Sequence, residues 1–259
     1  MMSQLVLYEV ESRIALLTLN RAEKRNALNP ELIIELTEAL NKAKNDKQVK
    51  IVIIKNSGTV FSGGADLSHL QKLQNYTYEE NLADSLLLKN LFQQIYIHPK
   101  IIIAQVEGDA IAGGCGLVTV CDFAFADTES KFGYPEVKIG FVPAIVMIFL
   151  IHKIGETKAK ELLLTGKLIS ATEAVSIGLI NSVFSKNEIS NKVVEFATAI
   201  CNKVASHSLS ITKEMIGKVQ ELSFENALDY AAEMNARTRS SAECKKGIKA
   251  FLNKEPINW

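Results

Sequence analysis

The chain has 259 residues, of which 47% are hydrophobic and 22% are charged, and its 29 basic residues balance 29 acidic ones. This is the composition of an ordinary globular protein that is long enough to bury a large core. A formal net charge of zero provides no global field for binding nucleic acid or an anionic membrane. We therefore expect one large domain, with at most a small appendage.

The N-terminal segment and the cysteines indicate a compartment. The first residues, MMSQLVLYEVESR, lack the basic end and the apolar run of a signal peptide. The most apolar stretch, 139–151, is shorter than the roughly 20 residues that a membrane helix needs. No CxxC pair or metal-ligand spacing occurs among Cys115, Cys121, Cys201 and Cys244. We predict a cytoplasmic protein with reduced thiols, no membrane span and no metal site.

The chain begins with a predicted β-hairpin and a helix. Residues 5–20, LVLYEVESRIALLTLN, contain two β-rich runs around the polar ESR. Residues 29–46 have a helical period, with Asn29 as the predicted N-cap and Pro30 at the first helical position. The hairpin and helix are followed by a continuous apolar run at 49–56, which is typical of a strand covered on both faces.

A second apolar run, 101–108, repeats this arrangement further along the chain. Each of the two runs leads into a glycine-rich turn and a helix. A helix is also predicted from 78 to 96, ending before Pro99, and a short strand at 123–127. Alternating strands and helices favour an α/β architecture with crossover helices.

The second half of the sequence is predominantly helical in pattern. The segment LISATEAVSIG predicts a helix with Ser170 and Glu173 as a capping box and Gly178 at its end. From Ile189 onward the pattern predicts amphipathic helices and no strong strand. These helices either close the core or pack on another subunit.

Two glycine-rich segments could hold a negative charge. In FSGGADLSHL, Gly63 and Gly64 permit close approach of a ligand to the backbone before Ala65. In AGGCG, Gly113 and Gly114 lie at the entrance to a helix, where backbone N–H groups are unpaired. Two N–H groups from separate loops that converge on one oxygen would form an oxyanion hole. The alternative is that both glycine pairs simply make tight turns.

Glu136 is the candidate acid and base. It lies in KFGYPEVKIGFVPAIV, where its neighbours are mostly apolar. Such surroundings raise the pKa of a carboxyl group and suit it to proton transfer near neutral pH. The alternative is an exposed carboxylate in the first turn of a helix.

These segments together resemble the crotonase (enoyl-CoA hydratase/isomerase) family. The resemblance runs from about residue 13 to 254 and is carried by RAEKRNAL, VFSGGADL, AIAGGCGLVTVCDFAFA, KFGYPEVKIGFVP, LLLTGKLISATEAVSIGLINSV and AFLNKEP. It implies a ββα spiral core over 1–195 and a helical region over 196–259 that drives assembly into trimers or hexamers. It also implies an acyl-CoA thioester as ligand, so that coenzyme A is part of the substrate and no separate cofactor is needed.

The resemblance places the oxyanion hole on the N–H groups of Ala65 and Gly113. It also places Lys24 and the backbone of Ala27 beside coenzyme A, and Lys249 and Phe251 near the coenzyme A of a neighbouring subunit. The predicted substrate-binding residues are Lys24, Ala27, Ser62, Gly63, Asp66, Leu67, Gly114 and Tyr134. For three of them a structural role is the alternative: a solvated charge at Lys24, a loop brace at Asp66 and a core aromatic at Tyr134.

Gly116 is where the chain departs from the family. Hydratases of the family usually carry two glutamates, one at the position of Gly116 and one at that of Glu136, whereas isomerases need only the second. However, GGCGLVTVCD followed by PEVKIGFVPAIV resembles bacterial methylglutaconyl-CoA hydratases, several of which also have glycine there. We therefore predict hydration of an enoyl-CoA, either methylglutaconyl-CoA or a short-chain substrate.

Two other functions remain open at this point. The first is an enoyl-CoA double-bond isomerase. The second is a catalytically weak protein of the same fold that binds acyl-CoA or RNA. The neutral charge balance and the lack of interleaved basic and aromatic residues count against RNA binding.

Overall fold

A computed structural model describes residues 4–259 of the chain, which form two β-sheets surrounded by helices. The larger sheet has the strand order β1-β2-β3-β5-β7-β10. Its strands are β1 Val6–Glu11, β2 Ile14–Leu19, β3 Ile51–Asn56, β5 Ile101–Val106, β7 Phe123–Asp127 and β10 Ser182–Phe184. The smaller sheet has the order β4-β6-β8-β9, with β4 Val60–Ser62, β6 Asp109–Ile111, β8 Lys131–Gly133 and β9 Leu168–Ser170.

Successive turns of the chain build both sheets at once. The pairs β3–β4, β5–β6 and β7–β8 each give one long strand to the larger sheet and one short strand to the smaller sheet. Strands β3, β5 and β7 are parallel, as are β4, β6 and β8, while the β1–β2 hairpin and the β8–β9 pair are antiparallel. This repeated strand–strand–helix path is a spiral of ββα units.

Helices cover both sheets. They are α1 Pro30–Asn45, α2 Leu67–Leu73, α3 Tyr78–Tyr96, α4 Gly113–Thr119, α5 Ala144–Ile154, α6 Glu156–Thr165, α7 Ala171–Ser176, α8 Ile189–Lys203, α9 Ser206–Lys218, α10 Phe224–Arg239 and α11 Ala242–Asn253. Short 3₁₀ helices occur at Ala22–Lys24, Pro135–Ile139 and Val219–Glu221. Among the helices of residues 4–259, none combines the length and the apolar character required to span a bilayer.

The boundary predicted at 195/196 falls inside α8. The buried face of this helix comprises Ile189, Val193, Ala197 and Cys201, and it packs on the isoleucines of β2, β3 and β5. Apolar contact continues on both sides of residue 195, so the whole of α8 belongs to the core packing. The division of the chain into a core and a C-terminal region stays a prediction.

The long elements agree with the sequence predictions. Helix α1 begins after Asn29, whose side chain accepts the Leu32 N–H, and α3 spans Tyr78–Tyr96. The three-residue strands of the smaller sheet were not predicted, because segments this short have no measurable period. Ser170 caps α7 by accepting the Glu173 N–H, but the Glu173 carboxylate pairs with Lys167 at 2.9 Å, so half of the predicted capping box forms.

Candidate active site

The first glycine-rich loop is held like a strand against the segment that precedes α1. The Leu28 N–H donates to the Gly64 carbonyl at 2.7 Å, and the Asp66 N–H donates to the Leu28 carbonyl at 3.1 Å. Because these bonds use the groups on either side of Ala65, the Ala65 N–H points away from Leu28. It has no acceptor within the described chain, and Ala65 is exposed. The loop therefore presents one free donor.

The buried side chain of Asp66 holds this loop in place. Its carboxylate pairs with the Arg21 guanidinium at 2.6 Å and accepts the N–H groups of Ser68 and His69 at the start of α2. Burial alone would raise the pKa of Asp66, but the hydrogen bonds from Ser68, Arg21 and His69 outweigh burial and hold that pKa well below its ordinary value. The residue is 3% exposed, so it braces the loop, the alternative considered for it from the sequence.

The second glycine-rich loop contains a strained residue. Ala112 has φ 52° and ψ −125°, a conformation that L-residues other than glycine rarely adopt. Its N–H donates to Gly133 at 2.8 Å, and its carbonyl accepts the first helical bond of α4, from Gly116. The N–H of Gly113 therefore points outward, with no acceptor in residues 4–259.

The two loops touch each other. A methyl group placed on Gly64, which has φ +87°, would lie 2.8 Å from the Ala112 Cβ and 3.6 Å from the Gly113 nitrogen. A methyl group on Gly114 would lie 2.4 Å from the Ser62 carbonyl oxygen. Only glycine allows the backbones to approach this closely at either position. The two loops that carry the free donors are therefore in direct contact.

Glu136 lies beside the second loop, in the 3₁₀ helix Pro135–Ile139. Its Oε2 atom is buried and has no hydrogen-bond partner among the described residues. Burial raises its pKa, although a hydrogen bond from its own backbone lowers it in part. Burial raises the pKa of the Cys115 thiol to about 12, and the nearby negative charge of Glu136 adds to that rise. One carboxylate oxygen of Glu136 is therefore buried without a partner, three residues after Gly133, whose carbonyl accepts the Ala112 N–H of the second loop.

The space beside Gly116 is filled by other side chains. A methyl group on Gly116 would lie 2.4 Å from Cγ1 of Val146 on α5 and 2.9 Å from the ring of Phe92 on α3. Both side chains are buried. The position where a second acid was expected from the resemblance is thus closed by apolar packing.

Comparison with known proteins identifies the family of the chain. The family model for Enoyl-CoA hydratase/isomerase matches residues 9–259. The chain belongs to this family. It is therefore a crotonase, an enzyme of the enoyl-CoA hydratase class, and the family acts on acyl-CoA thioesters.

Three individual proteins illustrate the similarity. A Thermus thermophilus protein, provisionally named an enoyl-CoA hydratase, is 40% identical over 95% of this chain and 97% of its own length. The crotonyl-CoA hydratase of Syntrophomonas wolfei is 32% identical over 98% and 97%. A crystal structure from Legionella pneumophila, provisionally described as an enoyl-CoA hydratase/isomerase (crotonase), matches with a TM-score of 0.89, 38% identity and 97% coverage of both chains.

Four of the remaining predicted site residues of this crotonase fall into two groups. Lys24 and Leu67 are exposed, and Leu67, at 79%, is among the most exposed apolar residues of the protein. Ser62 and Tyr134 are fully buried, at 0% exposure. The structure therefore places Tyr134 behind the site and not at its opening, because its side chain has no surface that a substrate could contact.

The segment predicted to lie beside coenzyme A has its own internal order. The Ala27 carbonyl accepts from Arg21 at 3.1 Å and its N–H donates to Lys24. Beside it, Asn26 is buried and donates to the carbonyls of Ser57 and Val60. The roles of Arg21 and Asn26 in holding these loops were not predicted from the sequence. Their partners in the neighbouring loop lie 31 to 45 positions away in the chain, and no local motif indicates such contacts.

The strain at Ala112 leads to a first prediction. Replacing Ala112 by Gly should raise the free energy of unfolding by about 1 kcal/mol, since about 1–3 kcal/mol of strain is relieved and about 0.4–1 kcal/mol is lost to the more flexible unfolded chain. The turnover rate should fall, because the Gly113 N–H is less firmly oriented. Urea unfolding and steady-state hydration assays check both effects. A variant that is less stable than the parent chain would contradict the assignment of strain.

Proposed function

We propose that this crotonase adds water across the conjugated double bond of an enoyl-CoA thioester, with Glu136 as its single protein acid and base. The observation that carries the proposal is the buried, unpartnered carboxylate oxygen of Glu136. Glu136 follows Gly133, whose carbonyl accepts from the second of two touching loops with free N–H groups. In this proposal the N–H groups of Ala65 and Gly113 form the oxyanion hole. Glu136 would accept the proton, and the two N–H groups would stabilise the negative charge on the carbonyl oxygen.

The reaction follows from these groups. Glu136 accepts a proton from water as the water oxygen bonds to the β-carbon. The electron pair of the carbon–carbon double bond moves towards the thioester, and the carbonyl oxygen gains the negative charge of an enolate. The two N–H donors stabilise that charge, and an oxyanion donor is typically worth about 2.7–4 kcal/mol. Glu136 then returns the proton to the α-carbon on the same face, which gives a 3-hydroxyacyl-CoA and restores the carboxylate.

The surroundings of Glu136 favour an apolar acyl group. The segment that follows it leaves Val137, Ile139, Phe141 and Val142 exposed, and the Phe141 N–H donates to the Glu136 carbonyl at 3.0 Å. Exposed apolar residues grouped at a reactive group are typical of a binding surface. A short-chain substrate is also supported by the relative named crotonyl-CoA hydratase. Methylglutaconyl-CoA, the candidate from the sequence resemblance, carries a terminal carboxylate that these apolar residues do not pair.

The proposal predicts loss of the enoyl thioester absorbance when the protein is mixed with substrate. Crotonyl-CoA and methylglutaconyl-CoA would be followed in parallel, because hydration removes the conjugation in both. Much faster loss with methylglutaconyl-CoA supports the branched, acidic substrate, and faster loss with crotonyl-CoA supports an ordinary short-chain substrate. No loss with either contradicts the proposed hydration.

One observation favours a second candidate, an enoyl-CoA double-bond isomerase. The Asp66 carboxylate is held by Arg21, so Glu136 is the carboxylate left to react, and Val146 and Phe92 close the position of a second acid on α4. A double-bond shift can use one base twice, first to remove a proton and then to return it. An unconjugated enoyl-CoA distinguishes the two reactions, because isomerisation towards conjugation creates absorbance that hydration removes.

We further propose that the protein works in the cytoplasm as a homotrimer or a dimer of trimers. Helices α10 and α11 expose Phe224 and Phe251, each at 82%, together with Leu228, Ile248 and Leu252. So much exposed apolar surface on neighbouring helices supports burial against another copy of the chain. Light scattering of the purified protein tests this, and a monomeric mass would contradict it.

A further inference from the structure

A chain of buried polar groups lies directly behind the proposed site. The Tyr134 hydroxyl is 2.5 Å from Oγ1 of Thr119 on α4, and this Oγ1 is 2.9 Å from the carbonyl oxygen of Cys115. The three residues are buried among apolar side chains. A polar group in such surroundings destabilises the fold unless it is hydrogen-bonded. These hydrogen bonds therefore hold the three residues in one defined arrangement.

The direction of each hydrogen bond can be deduced. A carbonyl oxygen only accepts, so the single hydroxyl hydrogen of Thr119 is donated to Cys115. Thr119 must then accept from Tyr134, which uses the only donor of the tyrosine. A hydroxyl held in this way does not deliver a proton to a substrate, and the side chain has no exposed surface. Tyr134 therefore needs a role other than substrate contact.

The position of Tyr134 in the chain indicates that role. It precedes Glu136 by two residues, with Pro135 between them, and the fixed φ of proline limits the freedom of this connection. At the other end of this series of hydrogen bonds, Cys115 belongs to the first turn of α4, which also carries the Gly113 N–H. The hydrogen bonds of Tyr134, Thr119 and Cys115 thus join the segment that carries Glu136 to the first turn of α4, which carries the proposed oxyanion donor.

We propose that Tyr134 is a positioning residue that sets the placement of the Glu136 carboxylate relative to the Gly113 N–H through Thr119 and Cys115. The inference rests on the function proposed above and adds to it a residue behind the reacting groups. The charge of Glu136 contributes to the raised pKa of Tyr134, after burial and the Cys115 thiol. Small errors in the placement of a catalytic group lower turnover strongly.

Removal of the hydroxyl tests the inference. Tyr134→Phe is expected to lower kcat about tenfold with less than a twofold change in KM, because substrate contacts are untouched. Thr119→Val should give a similar loss, and the double variant should lose no more than the more affected single variant. Thr119→Ser keeps the hydroxyl and should retain activity. Tyr8→Phe is the matched control and should keep the parent kcat. Tyr8 belongs to β1, and its buried hydroxyl has no hydrogen-bond partner in the described chain.

A second measurement is independent of turnover. Acetoacetyl-CoA forms an enolate that absorbs in the near ultraviolet and is stabilised by the same N–H donors. The parent protein should raise this absorbance on binding, and Tyr134→Phe should reduce the rise. Unchanged kcat and unchanged enolate absorbance in Tyr134→Phe would overturn the positioning role, while hydration by the parent protein would leave the proposed function intact. Absence of hydration in the parent protein contradicts the function alone, because the enolate signal still tests Tyr134.

Discussion

Replacement of Glu136 by Gln is expected to lower the hydration rate by about 10²–10⁴-fold, the usual contribution of a positioned general acid or base. Gln has nearly the same shape but cannot accept a proton from water or return one. The affinity for the acyl-CoA should change little, since coenzyme A and the acyl chain contact other residues in our proposal. Steady-state kinetics together with equilibrium binding of the saturated thioester butyryl-CoA separate these two effects.

The raised pKa of Glu136 also fixes the expected pH dependence. An unperturbed glutamate titrates near about 4.3, and burial raises the pKa of Glu136 above that value. Because the reaction begins with the ionised carboxylate, kcat/KM should rise with pH through this raised pKa. The acid limb of the profile should therefore lie above that of an ordinary glutamate and should disappear in Glu136→Gln.

The same shift predicts the sign of the stability change. The folded state binds the Glu136 proton more tightly than the unfolded state does, so stability is lost as the pH rises from the unfolded pKa through the folded pKa. At neutral pH the parent chain carries this penalty and Glu136→Gln does not. The variant should be at least as stable as the parent chain at pH 7, which separates lost activity from lost folding.

Glu129 provides a matched control. It is an exposed glutamate of the same polypeptide segment, and its carboxylate makes no ion pair within residues 4–259. Glu129→Gln should keep full activity and the parent pH profile. If Glu136→Gln hydrates crotonyl-CoA or methylglutaconyl-CoA at a rate near that of the parent chain, then Glu136 is not the acid and base.

The features that sequence predicted well are those with a local cause. Helix α1 follows from the Asn29 cap, Pro30 and a helical period over four turns, all within one segment. Strands β3 and β5 follow from apolar runs that only a doubly covered strand needs. By contrast, β4, β6 and β8 have three residues each, and their pairing depends on segments that are far away in the chain.

The site divides in the same way. Glycine-rich turns before a helix and an acid among apolar residues are local signals, so Ala65, Gly113 and Glu136 could be proposed from sequence. The Arg21–Asp66 ion pair joins residues 45 positions apart, and no local pattern connects them. Tyr134 shows the limit most clearly: the sequence left a substrate contact and a core aromatic role both open, and only the fold reveals that its hydroxyl points to Thr119.

Gly116 is a position where substitution should damage folding. An alanine in a helix normally stabilises by about 0.5–1 kcal/mol relative to glycine. At Gly116 the new methyl group would lie 2.4 Å from Val146 Cγ1 and 2.9 Å from the Phe92 ring, so packing must move. We expect Gly116→Ala to destabilise by about 1–3 kcal/mol. Gly116→Glu adds a longer, charged side chain to the same buried space and should prevent folding.

Gly217 is the matched control for the helix effect, because a methyl group there would lie 3.6 Å from the Tyr96 ring, an ordinary contact. Gly217→Ala in α9 should therefore be neutral or stabilising. The cause at Gly116 is tested by a double-mutant cycle with Val146→Ala, which removes Cγ1. If steric conflict is the cause, Gly116→Ala should cost less in the Val146→Ala background than in the parent chain. Equal costs would show that Val146 does not close this position.

The outcome at Gly116 bears directly on the chemistry. A glutamate at this position of α4 would need room that Val146 and Phe92 occupy. A strong coupling between Gly116 and Val146 in urea unfolding would mean that the present fold cannot host a second acid there. In the proposed mechanism both proton transfers would then rest with Glu136, and the rate that remains in Glu136→Gln would measure the contribution of the proposed oxyanion donors.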